Sequence, residues 1–201
     1  MAWEKVKAAL EENGFKVTVF ADSAAAAEYI DGQLDGTTIG IGGSMTIEKM
    51  GLYEKLSRHN TVYWHWRCAA GEDKQAIYRG AQTAEVYLSS VNGLAETGEL
   101  INIDGSGNRV SAIQYGHQKV YLVVGKNKLA PTYAEALSRA RNIAAPLNAQ
   151  RLKKNTPCAA EGKRCYDCSS PERICRGLSV LWKKPTNCDY EVVLVDEVLG
   201  Y

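Results

Sequence analysis

Short apolar stretches rich in β-branched residues recur along the chain, at "FKVTVFA", "TTIGIGG", "TVYWHW", "AEVYLSS", "LINID", "KVYLVVG" and "YEVVLVD". Each has the length and composition of a strand. Several are nearly continuous in apolar residues, the pattern of strands covered on both faces. Helical patterns separate them. One begins near Asp22 and runs through "AAAAEYI"; others start near Ser44, near Gly71, at Pro131 and at Pro171. The opening "MAWEKVKAALEENG" reads as an amphipathic helix with acidic residues, not a secretion signal. Strand and helix alternating in this way predict an α/β fold with a mostly parallel sheet and helices on both faces.

Composition narrows the function classes. With 45% hydrophobic and 23% charged residues and a net charge of +1, the chain carries no global field suited to nucleic acid or a membrane surface. No apolar run reaches the roughly 18–20 residues a bilayer requires, so membrane insertion is not expected. A cytoplasmic location follows as the expectation. The 201 residues suit one domain. Within it, the segment 151–184 differs: it holds nine Lys/Arg against three Asp/Glu, and its apolar pattern thins out. It reads as a cysteine-rich elaboration inserted before a last strand.

That segment gathers four of the six cysteines, Cys158, Cys165, Cys168 and Cys175, in "TPCAAEGKRCYDCSSPERIC". The central C-x2-C spacing lets two thiolates reach one metal from a tight turn, and the outer pair closes the loop from either side. From Cys158 to Ser170 the only sizeable apolar side chain is Tyr166, so burial cannot offset the entropy of ordering the loop. A metal can, at roughly 10–16 kcal/mol for structural zinc in small peptides. An iron–sulfur cluster also uses four cysteine thiolates, and a four-iron cluster is the expected centre ahead of zinc. "SSPERICRGLSVLWKK" is expected to form a helix capped by Ser170, with Cys168 beside its amino end. Lys163, Arg164, Arg173 and Arg176 would offset the charge of four thiolates. Four independent thiols, or two disulfides, remain the plainer readings. Cys68 and Cys188 stand apart and are expected to be small buried side chains.

Ligands of open parallel sheets bind outside the carboxyl ends of the strands, and this chain places glycine loops there. In "TTIGIGGSMTIEKMG", Gly40, Gly42 and Gly43 permit close backbone approach and Ser44 is the expected helix cap. In "ETGELINIDGSGNR", Gly105 and Gly107 bracket Ser106, followed by Asn108 and Arg109, a candidate anion nest with a basic partner. Asn92, Glu96 and Glu99 lie just past the "AEVYLSS" strand, and Glu96 is the candidate nucleophile or general base. Lys126, Asn127 and Lys128 follow another strand. His65 is expected on the face opposite Val62, Trp64 and Trp66. The candidate ligand set is thus Gly42, Gly43, Ser44, Asn92, Gly105, Ser106, Gly107, Asn108, Arg109, Lys126 and Asn127. The loops are neither a Walker loop nor a dinucleotide-binding fingerprint.

"GIGGSMTIEKMGL", "LAETGELINIDGSGNRVSAIQYGHQKVYLVVGKNKL", "RARNIAAPLNAQRL" and the cysteine segment together resemble the lactate-utilisation, or LUD, domain family, over nearly the whole chain. The cysteine segment resembles that of a stand-alone branch of the family. The resemblance implies a Rossmann-like sheet of the sugar-phosphate-isomerase and CoA-transferase type. It also implies a place in lactate or related hydroxy-acid oxidation, beside iron–sulfur partner proteins. Three functions follow as expectations. The first is a redox-associated protein that binds a small anionic metabolite and an iron–sulfur cluster. The second is an isomerase or acyl/CoA-transferase-like enzyme using Glu96, with a structural zinc. The third is a non-catalytic regulatory module. A homodimer is a reasonable expectation at this size.

Overall fold

In the computed structural model, which describes residues 2–161 and 164–201, the strands are arranged in two sheets. The chain begins with α1 (Ala2–Glu12), β1 (Lys16–Phe20), α2 (Ser23–Gln33) and β2 (Thr38–Ile41). Two short helices, α3 (Met45–Lys49) and α4 (Leu52–Leu56), lead to β3 (Thr61–Trp64). Next come α5 (Lys74–Thr83), β4 (Val86–Ser90), β5 (Gly93–Ala95), β6 (Leu100–Asp104), α6 (Asn108–Gln114), β7 (Lys119–Gly125) and β8 (Leu129–Ala130). A π-helical turn at Ala140–Ala144 joins α7 (Tyr133–Arg139) to α8 (Ala145–Arg151). The chain closes with α9 (Pro157–Glu161), β9 (Gly177–Leu181) and β10 (Asp189–Val195).

The larger sheet has six strands in the order β1-β10-β7-β4-β2-β3, all parallel. Its central strands β7 and β10 are apolar along most of their length because both faces are covered. Val120, Leu122 and Val124 of β7, with Val192 and Leu194 of β10, pack under Val6 and Leu10 of α1 and Ile113 of α6. Their neighbours Tyr121, Val123, Val193 and Val195 face the other way, against Ala26 and Ile30 of α2, Ile47 of α3 and Leu52 of α4. Each such side chain, fully buried, contributes roughly 1.5–3 kcal/mol. The helices begin where their sequence signals say: Asp22 accepts a hydrogen bond from the Ala25 amide at 2.7 Å, and Ser44 caps α3.

A smaller sheet, β8-β5-β6-β9, packs beside the first. It mixes parallel β5–β8 pairing with antiparallel β5–β6 and β6–β9 pairing. "LINID" therefore belongs to this second sheet as β6, not to the parallel one. α7 covers this sheet through Ala136, and Ala140 of the following turn joins the same cluster with Ala95 and Ile101.

Two expectations are corrected here. The segment after Pro171 is not a helix: a turn at 171–172 gives way to irregular chain and then to β9. Its alternation decides this, since Ser179 and Leu181 are buried while Leu178 and Trp182 are 53% and 70% exposed. A period of two fits a strand, and the open side of β6 supplies the partner, with Ile101 opposite Val180 and Leu100 opposite Leu181. The second correction is at "TVYWHW". The strand ends at Trp64, and His65–Arg67 form a 3₁₀ turn. His65 and Trp66 consequently do not alternate across a sheet.

Candidate functional site

A cavity of about 520 Å³ lies outside the carboxyl ends of the parallel strands. Gly43–Thr46 after β2, His65 and Trp66 after β3, Ser90–Asn92 at the end of β4 and Lys128 after β7 line one side. The end of β6 with the loop into α6, part of α8, and Gly200–Tyr201 line the other. Of the expected ligand residues, Gly43, Ser44, Asn92, Gly105, Ser106, Asn108 and Arg109 line it. Four basic side chains face it, Lys74, Arg109, Lys128 and Arg151, against one carboxylate, Asp104, among the described residues.

Several expected residues have other work. A Cβ on Gly42 would lie 2.7 Å from the Tyr87 hydroxyl and 3.1 Å from Cγ of Arg109, so this glycine lets β2 pass close to the arginine. The amides of Ser106 and Gly107 both donate to Asp104 Oδ1 at 3.0 Å, so that nest already holds a carboxylate of the chain itself. Asn127 accepts from the Leu199 amide at 3.0 Å and donates to Gly200 O at 3.3 Å, pinning the end of the chain. Lys126 pairs with Asp196 at 3.2 Å. Glu96 stands outside the cavity lining and pairs with Lys5 at 2.8 Å; Glu99 accepts from the Thr97 hydroxyl.

Arg109 is held on four sides. It donates to Asn102 Oδ1 at 2.7 Å, Asn92 Oδ1 at 3.0 Å and Ile103 O at 2.6 Å, with Asp104 Oδ2 at 3.6 Å from Nε. Burial lowers its pKa, opposed by the charge of Asp104, yet an arginine stays charged. His65 stacks on Tyr78 with centroids 4.8 Å apart. Burial, then the charges of Lys74 and Arg151, lower its pKa, so the ring is neutral near pH 7. Arg151 lies over Trp66, 4.7 Å from its centroid, and donates to the Tyr201 hydroxyl at 2.7 Å.

Lys128 is the basic residue set deepest, with only 3% of its surface exposed. The 3₁₀ turn Lys126–Lys128 swings it inward, where Nζ meets Thr46 Oγ1 at 2.8 Å and Ser90 Oγ at 2.7 Å. Burial, followed by the positive charges of Arg139, Arg109 and Lys49, lowers its pKa well below the usual lysine range. Neither Lys128, Asp104 nor Arg151 was singled out as a ligand residue by sequence. For Lys128 the only sequence signal is its position after β7, which Lys126 and Asn127 share.

The four clustered cysteines line one small cavity of about 10 Å³, with Arg141, Thr156, Arg173 and Ile174. Their thiols are free, as are those of Cys68 and Cys188. Asn142 Oδ1 accepts from the Cys165 amide at 3.1 Å, and the Asp167 amide donates to Cys165 Sγ at 3.3 Å. Arg173 laces the loop, donating to the carbonyls of Cys175 at 3.0 Å and Cys168 at 2.7 Å. The π turn that presents Arg141 and Asn142 has a local cause: Pro146 lacks the amide that would bond back to residue 142. With no helix after Pro171, Cys168 gains nothing from a helix dipole. Of the basic residues expected to balance the thiolates, Arg173 lines the cavity and Arg176 bonds the Pro171 carbonyl. Arg164 lies over the Tyr166 ring, and Lys163 falls outside the described residues. Cys188 packs against the core, where burial pushes its thiol up to about 11; Cys68 is half-buried at the surface.

Four free thiols with a backbone N–H donor and two flanking guanidinium groups suit a metal centre in chemistry. In arrangement the loop is not closed around one. Among the described residues no three Cys, His, Asp or Glu side chains stand ready to hold a metal ion, and a space of about 10 Å³ admits no more than a water-sized group. The two cavities are neighbours: Ala145 and Ile174 line both. Gly105 makes that contact possible, since a Cβ there would lie 2.7 Å from the Ile174 carbonyl.

Among the described residues no helix is long and apolar enough to cross a membrane. No curated protein matches the chain. Among solved structures, a DUF162 family protein from Deinococcus radiodurans is similar, with 14% identity, 95% of this chain and 94% of that chain covered, and a TM-score of 0.53. At that identity the likeness speaks for the fold alone. The family model of the LUD domain matches residues 3–195. With the motifs, the fold and nearly the whole length in agreement, this chain belongs to the LUD domain family.

Proposed function

We propose that the chain is a ligand-binding redox domain. A small carboxylate- or phosphate-bearing metabolite occupies the strand-end cavity, and Cys158, Cys165, Cys168 and Cys175 hold an inorganic centre behind its wall. The observation that carries this reading is the shared wall: Ala145 and Ile174 face the basic cavity on one side and the four-cysteine cavity on the other. The excess of basic over acidic lining residues favours an anionic guest. The loop's shortage of apolar side chains favours a centre that supplies the missing stabilisation. An iron–sulfur cluster would supply one-electron chemistry there, whereas zinc would only cross-link the loop. Loading requires the loop 158–175 to rearrange, because its present cavity is too small. Oxidation of a lactate-like hydroxy acid is the activity this pairing fits.

Metal and acid-labile sulfide analysis of protein purified without oxygen tests the centre. Stoichiometric iron and sulfide, lost in Cys165→Ser, are expected. Zinc without sulfide would turn the reading to a structural centre, and neither metal would overturn it.

A further inference from the structure

Lys128 carries an inference beyond ligand binding, and a count of protons leads to it. Ser90 donates its hydroxyl proton to the Val123 carbonyl at 2.5 Å, and Thr46 donates its own to Leu199 O at 3.2 Å. Each hydroxyl then has only lone pairs to offer Nζ, so Nζ is the donor in both of its hydrogen bonds, at 2.7 and 2.8 Å. Two of its three valences beyond carbon are therefore N–H bonds. The third is either another N–H, giving an ammonium, or a lone pair, giving an amine. The charges that bear on it, Arg139, Arg109 and Lys49, are all positive. Asp104, the cavity's carboxylate, is engaged by two amides and lies beside Arg109. A buried ammonium without an anionic partner costs several kcal/mol, and an amine with two hydrogen bonds avoids that cost. Burial of Lys128 lowers its pKa in the same sense.

We propose that Lys128 is the reacting amine of this cavity and condenses with the carbonyl group of a small 2-oxo acid to form an imine. This rests on the reading that the cavity takes a small anionic ligand. The lone pair of Nζ adds to the carbonyl carbon and the C=O π pair moves to oxygen. The oxygen then leaves as water with the two hydrogens of the amine, and C=N replaces C=O. No oxidant or reductant is consumed. The amine selects a carbonyl electrophile, and the basic lining selects one that carries an acid group.

The test treats the full chain at pH 7 with glyoxylate and cyanoborohydride, which reduces an imine to a stable secondary amine. Intact mass and peptide mapping read the product. A lysine with the ordinary pKa of about 10.4 is neutral at pH 7 in roughly one molecule in 2,500, so Lys128 should be labelled at least about tenfold faster than the surface lysines. Lys128→Arg should lose that adduct, and Lys128→Met serves if the arginine disturbs the fold. Labelling spread evenly over surface lysines, or no adduct, overturns the proposal. Calorimetry with inorganic phosphate separates the two readings. Phosphate binding without a Lys128 adduct removes only the imine, whereas absence of both removes the anion cavity as well.

Discussion

Glu191 and Lys128 are both buried ionisable residues beside the same parallel sheet, one towards the amino ends of the strands and one beyond the carboxyl ends. Glu191 sits in β10 opposite Lys16 of β1, fully shielded from solvent. Lys16 reaches it at 2.9 Å and Lys119 at 3.5 Å, and the hydroxyls of Tyr29 and Thr18 donate to it at 2.8 and 3.2 Å. Burial alone would raise its pKa, but the bonds from Lys16 and Tyr29 outweigh that and hold it below the usual carboxylate value. Lys128 has two hydroxyls and no such counter-charge among the groups that bear on it. A satisfied buried charge is a structural element. A buried basic group with hydrogen bonds but no counter-charge is instead pushed towards its neutral form, and such perturbed groups cluster at functional sites.

This contrast can be broken at Glu191 first. Lys16→Met is expected to cost about 2–3 kcal/mol in urea denaturation at pH 7, since Lys119 and two hydroxyls only partly replace the lost charge. The lowered pKa of Glu191 means that its contribution is fully present above the unfolded carboxylate range and is lost as pH falls through the folded value. Wild type and variant should therefore converge in acid. A cost under about 0.5 kcal/mol would show the pair to be idle.

At the other end the sign reverses. Lys128→Met removes a buried amine that has no counter-charge while keeping volume, and Thr46 and Ser90 keep their carbonyl acceptors. The variant is expected to be more stable by about 1–2 kcal/mol at pH 7. The folded pKa of Lys128 lies well below 10.5, so between those values the unfolded chain binds a proton that the folded chain does not. Wild-type stability then rises with pH through that window, and the advantage of the variant should shrink towards pH 10. Loss of stability in Lys128→Met would refute the contrast. The smallest effect is at the rim. Arg151→Ala should change stability by no more than about 0.5 kcal/mol while weakening inorganic phosphate binding roughly tenfold in calorimetry.

Much of this was readable in the chain itself. "KVYLVVG" and "YEVVLVD" became β7 and β10 over nearly the expected residues, because strands buried on both faces leave continuous apolar runs. The helix expected near Asp22 begins there, and Ser44 caps the helix it was expected to cap. The loops "GIGGS" and "GSGNR" do line a strand-end cavity, at Gly43, Ser44, Gly105, Ser106, Asn108 and Arg109. Harder to read were elements whose stability comes from a distant partner. β9 looked helical because Ser170 and Pro171 imitate a helix start, and only the open side of β6 makes it a strand. Within "GKNK" no local signal separates three polar neighbours. Lys126 turns to solvent, Asn127 to the end of the chain and Lys128 to the cavity.

The order of apolar runs, the caps and the cysteine spacing thus determined by themselves the α/β class, the placing of glycine loops at strand ends and the gathering of four sulfurs. Those features follow from local stereochemistry and from the period of side chains along the backbone, which neighbouring residues set. The tertiary structure alone decided which amides were already taken by Asp104, which lysine lost its solvent and which wall the cysteine loop shares. Burial and pairing are properties of residues far apart in the chain, and only their packing fixes the local dielectric and the count of available partners.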